Sequence, residues 1–195
     1  MSIHTVPTNM RHWVREREVH RDIFTHPDVF ALEMQTVFTH TWVYVGHASQ
    51  IPQAGDYYST TVGDQPVVMV RQADGGIAVL HNRCAHKGVK IAGREHGNTG
   101  KFFRCPYHAW TFKLDGALLG IPLNSGYAQN GFEGTEAAQG MARVGAVQVY
   151  RDFVFCRLAA QGESFADFFG ESLSTLDNMV ERLSLIHISE PTRPY

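Results

Sequence analysis

Two cysteine–histidine pairs are the residues of this chain best suited to chemistry. Cys84 and His86 stand two positions apart in CAHKG, Cys105 and His108 stand three apart in CPYHAW, and eighteen residues separate the pairs. Thiolates and imidazoles are ligands for zinc and for iron. Each pair offers one sulfur and one nitrogen, which favours two neighbouring metal atoms, one bound by both sulfurs and one by both nitrogens. A single tetrahedral zinc is the alternative, and it predicts a colourless protein.

The composition is that of a globular protein and narrows the function classes. Hydrophobic residues make up 44% of the 195 positions and charged residues 18%. The net charge of -2 gives no electrostatic case for nucleic-acid binding. The longest apolar runs fall short of the roughly 20 residues that span a membrane, and the first residues lack the apolar core of a secretory signal. Three cysteines, two with histidine neighbours, indicate a metal site in a reducing cytoplasm rather than disulfides.

Short strands must position the two pairs. The runs WVYVG, DYYSTTV, PVVMVRQ, IAVLHN, VGAVQVY and FVFCRLA are rich in valine and aromatic residues, and ADGG between two of them predicts a hairpin. The first pair follows IAVLHN, and the second lies between KFFR and WTFKLDG. The glycine-rich segment between the pairs, GVKIAGREHGNTG, is expected to be a loop with sharp bends. A polar, glycine-bearing excursion is expected over residues 124–142.

Helices are predicted on both sides of this β region. Before it, Pro27 suits a first helical turn, and an apolar face repeats about every 3.6 residues, formed by Phe30, Met34, Val37, Phe38 and Trp42. After it, Ser164 and Asp167 begin a helix with a capping box, whose apolar face comprises Phe165, Phe168, Phe169, Leu173, Leu176, Val180 and Leu183. Such an amphipathic helix needs a partner surface.

The motif pair resembles the Rieske motif of the ring-hydroxylating, non-haem iron oxygenases, in their alpha (large) subunit. The resemblance extends over about residues 20–182 and is closest to the branch acting on benzoate-like and salicylate-like acids. It implies that Cys84 and Cys105 bind the inner iron of a [2Fe-2S] cluster, and His86 and His108 the outer one. Two residues depart from the family pattern, Lys87 in place of a common arginine and Ala109 in place of a common glycine. Around these ligands the resemblance implies a shielding or tuning set, Lys87, Pro106, Tyr107 and Trp110.

The fold class implied is mainly β, a Rieske-type antiparallel β-sandwich domain with two cluster-binding loops, flanked by an N-terminal helix and the start of an α+β catalytic domain. In the complete enzyme the resemblance implies a reductase or ferredoxin as electron donor and a homotrimer of alpha subunits, with or without beta subunits. It also implies a mononuclear Fe(II) beyond this sequence, where O2 attacks an aromatic substrate, expected to be a carboxylate. No catalytic residue is expected within this chain, and neither nucleic acid nor membrane is an expected partner.

The chain is expected to divide into a polar segment and helix at 1–43, the Rieske domain at 44–160, the start of a catalytic domain at 161–182 and a foreign tail at 183–195. The tail, SLIHISEPTRPY after Leu183, departs from the family resemblance and breaks the helical pattern. A frame of a transposon-library adapter encodes Leu-Ser-Leu-Ile-His-Ile-Ser-Glu-Pro-Thr-Arg, so we expect an adapter-derived tail. A self-contained Rieske ferredoxin is the alternative function, although it needs neither flanking helix.

Other reactive side chains receive structural interpretations. Cys156 lies alone in an apolar strand and is expected to be a buried core residue. His81 and His96 lack the motif spacing and are expected to contact solvent or loop backbone, and His40 and His47 have no carboxylate at ligand spacing. Arg83 and Lys87 are either part of a docking face for an acidic electron donor or ordinary solvated charges.

Overall fold

Antiparallel pairing builds every sheet of the described structure. The computed structural model describes residues 10–123, 126 and 140–189, so most of the predicted excursion at 124–142 lies outside it. The strands are β1 (Val43–His47), β2 (Asp56–Val62), β3 (Gln65–Arg71), β4 (Ile77–His81), β5 (His96–Asn98), β6 (Phe102–Arg104), β7 (Thr111–Lys113), β8 (Leu118–Gly120), β9 (Ala146–Tyr150) and β10 (Phe153–Arg157). The predicted mainly β, antiparallel class is therefore confirmed.

The strands form three sheets, in the orders β1-β10-β9, β4-β3-β2-β5 and β6-β7-β8. The predicted ADGG hairpin joins β3 to β4, and Gly75 has the positive φ of 87° that its turn requires. β5 was not anticipated, because its sequence HGN carries no β-type residue. It forms by pairing with β2, where Tyr57 faces Gly97, so tertiary pairing overrides local propensity.

The described residues form two apolar cores, of which one contains the candidate cysteines. One contains both motif cysteines together with Trp110, Phe103 and Phe112, all buried. The other packs β1, β3 and β10 around residues such as Val67, Met69 and Cys156. Cys156 is fully buried, as expected, and desolvation raises the pKa of its thiol to about 12. Although they lie in loops, both candidate cysteines are therefore packed into an apolar core.

The N-terminal helices are shorter than predicted. The structure has α1 (Asp22–Thr25), α2 (Pro27–Gln35) and α3 (Val37–His40), with Pro27 in the first turn of α2 as predicted. The expected single apolar face is wrong, since Phe30 is 62% and Val37 46% exposed whereas Val29 is buried. Within α2 it is the position of Val29, one residue before Phe30, that packs against the fold, and the break at Thr36 changes the helical phase again before α3.

The C-terminal helix is also interrupted. Ser164 caps α4 (Phe165–Phe169), its Oγ accepting from the Asp167 N–H at 3.1 Å, as predicted. Gly170, with φ of 48°, then ends α4, and α5 (Leu173–Ser189) begins after one 3-10 turn. The expectation that the tail breaks the helix is wrong, because α5 continues through Leu183 to Ser189.

One side of the β1-β10-β9 sheet receives these C-terminal helices. Phe165 and Phe169 both lie with ring centroids 5.2 Å from Phe155 of β10. Trp42 connects the N-terminal segment to the residues just before α4, because its Nε1 donates to the Glu163 carbonyl at 3.0 Å. The guanidinium carbon of the buried Arg157 lies 5.1 Å from the centroid of the Trp42 ring. Among the described residues, no helix has the length and apolarity needed to cross a membrane.

Candidate metal centre

The two cysteine–histidine loops have the same backbone conformation. In the first, the Cys84 N–H donates to the Val89 carbonyl and the Gly88 N–H donates to the Cys84 carbonyl, both at 2.8 Å. Each loop thus closes from its cysteine to the fifth residue after it. The sequence spacings C-x-H and C-x-x-H conceal this likeness, because they place the histidines at different positions of one common turn.

The second loop repeats both backbone bonds. The Cys105 N–H donates to the Trp110 carbonyl at 2.8 Å, and the Ala109 N–H donates to the Cys105 carbonyl at 3.0 Å. The fourth residue after the cysteine has a left-handed backbone conformation in both loops, with φ of 70° at Gly88 and 56° at Ala109. The alanine that departs from the family pattern therefore occupies a conformation that glycine adopts without strain.

The structure brings the four predicted ligands together as two pairs. Cys84 and Cys105 are both buried, and their thiols are within hydrogen-bonding contact. The imidazole rings of His86 and His108 lie with centroids 4.7 Å apart and are half-buried. Two sulfurs therefore face inward and two imidazoles lie nearer the surface.

The electrostatics of the first loop suit metal binding. Burial raises the pKa of the Cys84 thiol, and the neighbouring Cys105 thiol raises it further. The His86 backbone N–H lowers this pKa, but by less than burial raises it. A thiolate pair at this position therefore calls for a cation beside it. The pKa of His86 lies below its ordinary value because of partial burial, His108 and Lys87, which favours the neutral imidazole, the form that binds metals.

Aromatic rings enclose the imidazoles. Trp110, 1% exposed, stacks on His86 with centroids 4.8 Å apart and an interplanar angle of 3°. Tyr107 lies with its ring centroid 3.8 Å from that of His108, yet 62% of the tyrosine is exposed. Pro106 and Lys87 are exposed as well. Of the four residues in the predicted shielding or tuning set, the structure buries only Trp110.

The donor set fits a two-iron cluster. Each iron of such a cluster needs only two protein ligands, and the chain supplies one thiolate pair and one imidazole pair. Within the described part of the chain, no three or more His, Cys, Asp or Glu side chains are grouped closely enough to hold one metal ion together. The four predicted ligands are arranged as a thiol pair and an imidazole pair.

Positive charge concentrates around these loops. Residues 83–113 carry seven Lys or Arg and one Glu, a net charge of +6, whereas the whole chain carries -2. Arg83, Lys87 and Arg104 are exposed, and the Arg83 guanidinium donates to the Gln65 side chain. Two other histidines contact groups outside these loops: the His96 ring lies 4.7 Å from that of Tyr58, and His47 Nδ1 lies 2.8 Å from Ser49 Oγ.

Sequence reasoning missed Asn82, which is fully buried and makes four side-chain hydrogen bonds beside the first loop. The signal that could have revealed it is a polar residue at the end of the apolar strand IAVLH, two positions before the cysteine. Buried polar side chains are nearly always hydrogen-bonded, so a polar residue in an apolar strand indicates a local hydrogen-bond network.

Antiparallel sheets that carry two equivalent loops, each with one buried thiol and one imidazole, define a two-iron iron–sulfur domain. The family model for the Rieske [2Fe-2S] domain matches residues 41–141, and the chain belongs to that family. The curated relatives include the N,N-dimethyl phenylurea N-demethylase subunit alpha of Sphingobium sp. (strain YBL2), 36% identical over 82% of this chain and 34% of its own. They also include the anthranilate 1,2-dioxygenase large subunit of Acinetobacter baylyi, 35% identical over 83% of this chain and 34% of its own.

A solved structure, naphthalene 1,2-dioxygenase from Rhodococcus sp. bound to indole, superposes with a TM-score of 0.75. It is 30% identical, and the match covers 82% of this chain and 36% of that one. The chain therefore spans about a third of the length of the proteins it matches.

Proposed function

We propose that this chain is the electron-transfer part of an aromatic-ring-hydroxylating oxygenase alpha subunit. The single observation that carries the proposal is the pair of equivalent loops that bring Cys84 and Cys105, and His86 and His108, side by side. In this proposal the two cysteines hold the inner iron of a [2Fe-2S] cluster and the two histidines the outer iron. When bound, such a cluster accepts and donates single electrons at a potential raised by its imidazole ligands.

The chain's own residues protect and expose the cluster unequally. The apolar core around the cysteines excludes water from the sulfur side, whereas the half-buried imidazoles lie toward solvent. Electrons therefore have their shortest way in and out past His86 and His108. Residues 161–182 would begin the catalytic domain, and the mononuclear Fe(II) would be held beyond them.

The donor would be a reductase or ferredoxin with an acidic surface. The net charge of +6 on residues 83–113 supports this partner, because opposite charges accelerate association of two proteins at low ionic strength. The proposed substrate, an aromatic carboxylate, is supported by the anthranilate dioxygenase relative. The phenylurea and naphthalene relatives show that neighbouring proteins are named for other substrates. A homotrimer of alpha subunits, with or without beta subunits, and a cytoplasmic location complete the proposal.

The test is to purify the full chain without oxygen, measure iron and acid-labile sulfide, and record the electron paramagnetic resonance spectrum after reduction. Two irons and two sulfides per chain are expected, and a zinc-bound, colourless protein contradicts the proposal. The rate of reduction by an acidic ferredoxin should fall as salt is added. A salt-independent rate would contradict the basic docking face but not the cluster itself.

The same proposal makes a prediction about the nucleotide sequence of the gene. Independent sequencing past the Arg182 codon should replace residues 183–195 with a frame encoding a carboxylate and a close histidine pair. A genuine stop codon after Tyr195 would instead favour the self-contained electron carrier.

A further inference from the structure

The two cluster loops are alike in backbone but differ at their bases. The second loop is closed by a strand ladder, in which β6 pairs with β7 through Arg104–Thr111 and Phe103–Phe112. The first loop leaves β4 at His81, and β4 pairs with β3, not with the chain that follows the loop. Its return segment, residues 89–92, is not a strand. Something other than a ladder must therefore hold the two ends of the first loop together.

The Asn82 side chain does this. Its Oδ1 accepts from the backbone N–H groups of Ile91, at 3.1 Å, and Ala92, at 2.9 Å. Its Nδ2 donates to the Ala92 carbonyl at 2.9 Å and to Ser59 Oγ of β2 at 2.9 Å. One amide thus both donates to and accepts from the opposite main chain, as a neighbouring strand residue would, and ties it to β2 as well.

We infer that Asn82 is a positioning residue for the first cluster loop. Its side chain replaces the missing strand ladder and fixes Cys84 and His86 opposite the second loop. Asn82 is fully buried, so its removal leaves buried backbone groups of the return segment without their hydrogen-bond partner. Asn82 itself is held because its backbone N–H donates to the Pro66 carbonyl at 2.8 Å. This inference rests on the proposed cluster.

The test compares Asn82→Ala with Ser59→Ala in the full chain. Ser59 is buried and shares one of the four amide hydrogen bonds, so its variant is a matched control that leaves the loop closed. Three quantities are measured: the rate of iron loss to a chelator, the linewidth of the reduced electron paramagnetic resonance spectrum, and backbone hydrogen exchange over residues 85–93.

Asn82→Ala should lose iron at least tenfold faster than the wild type, broaden the spectrum and raise exchange over residues 85–93 at least tenfold. Ser59→Ala should stay within about threefold of the wild type in each quantity. Equal effects of the two variants, or rapid iron loss without raised exchange in this segment, would overturn the inference. A wild-type chain without iron would instead refute the proposed function.

If Asn82→Ala yields no folded protein, Asn82→Asp decides the matter. Aspartate keeps an acceptor for the Ile91 and Ala92 N–H groups but loses the donor to the Ala92 carbonyl. Hydrogen exchange over residues 85–93 in Asn82→Asp should then lie nearer to that of the wild type than to that of Cys84→Ala, a reference variant that lacks a cluster ligand. Exchange in Asn82→Asp equal to that in Cys84→Ala would overturn the inference.

Discussion

The left-handed residue of each cluster loop allows a reciprocal test of the backbone geometry. Gly88 and Ala109 occupy equivalent positions, with φ of 70° and 56°. A Cβ built on Gly88 would meet no atom within 4 Å, so Gly88→Ala changes the backbone preference without a collision. Ala109→Gly makes the opposite change. Gly93→Ala is the control, because its Cβ would also meet open space while its φ lies outside the left-handed region.

The magnitude follows from two opposing contributions. A residue with a Cβ loses roughly 1–2 kcal/mol in the left-handed conformation, whereas glycine in place of alanine costs roughly 0.5–1 kcal/mol of chain entropy on folding. Gly88→Ala should therefore lower the free energy of unfolding by about 0.5–1 kcal/mol. Ala109→Gly should raise it by up to the same amount, less the contact of a half-buried methyl group. Gly93→Ala should raise it by about 0.4–1 kcal/mol.

The assay is equilibrium urea unfolding of the full chain at equal cluster content, followed by tryptophan fluorescence. The comparison of Gly88→Ala with Gly93→Ala isolates the backbone term, and it should amount to about 1–2 kcal/mol. Equal free energies of unfolding for those two variants would refute the assignment of a left-handed residue to the first loop. A loss of stability in Ala109→Gly would refute the argument for the second.

Two further predictions concern ligand identity and pH. His108→Cys, which adds a thiolate, should move the reduction potential toward the about −400 mV of all-cysteine clusters; an unchanged potential in a correctly assembled cluster contradicts the ligand assignment. The pKa of Tyr150 lies above its ordinary 10.0 chiefly because its phenol donates to Asp177, 2.9 Å away. This bond therefore stabilises the fold while the phenol is neutral and is lost as pH rises through the raised pKa. Asp177→Asn should lower the Tyr150 midpoint in an ultraviolet titration referenced to Tyr150→Phe, and an unmoved midpoint contradicts this.

The sequence predicted the strands well because their residues carry their own signal. DYYSTTV became β2 at its full predicted length, and the ADGG hairpin lies between β3 and β4. β5 could not be predicted, since His96–Asn98 becomes a strand only through pairing with β2. The predicted N-terminal helical face was wrong for a related reason: the periodicity from Phe30 to Trp42 reveals neither that Val29 is the buried position of α2 nor that the helix breaks at Thr36.

The candidate ligands stand out in the sequence because their residue types and spacing are both unusual, and the structure brings their side chains together. Their surroundings stand out less. Trp110 is buried and stacked on His86, whereas Tyr107 is largely exposed although its ring touches that of His108. Exposure depends on which side of the turn a residue occupies, and the differing spacings of the two motifs hide that the turns are the same.

The likeness of the two loops also explains why residues outside the motif matter. A turn that closes on itself through two backbone bonds fixes its own shape but not its placement on the fold. The second loop is placed by the β6–β7 ladder, whose hydrogen bonds join backbone groups that every residue except proline supplies in full. The first is placed by the side chain of Asn82, whose bonds depend on one residue type. The position of the Cys84 thiol relative to the Cys105 thiol therefore depends on a side chain at the first loop and on backbone pairing at the second. Substitutions near the first loop should consequently affect the metal centre more than equivalent substitutions near the second.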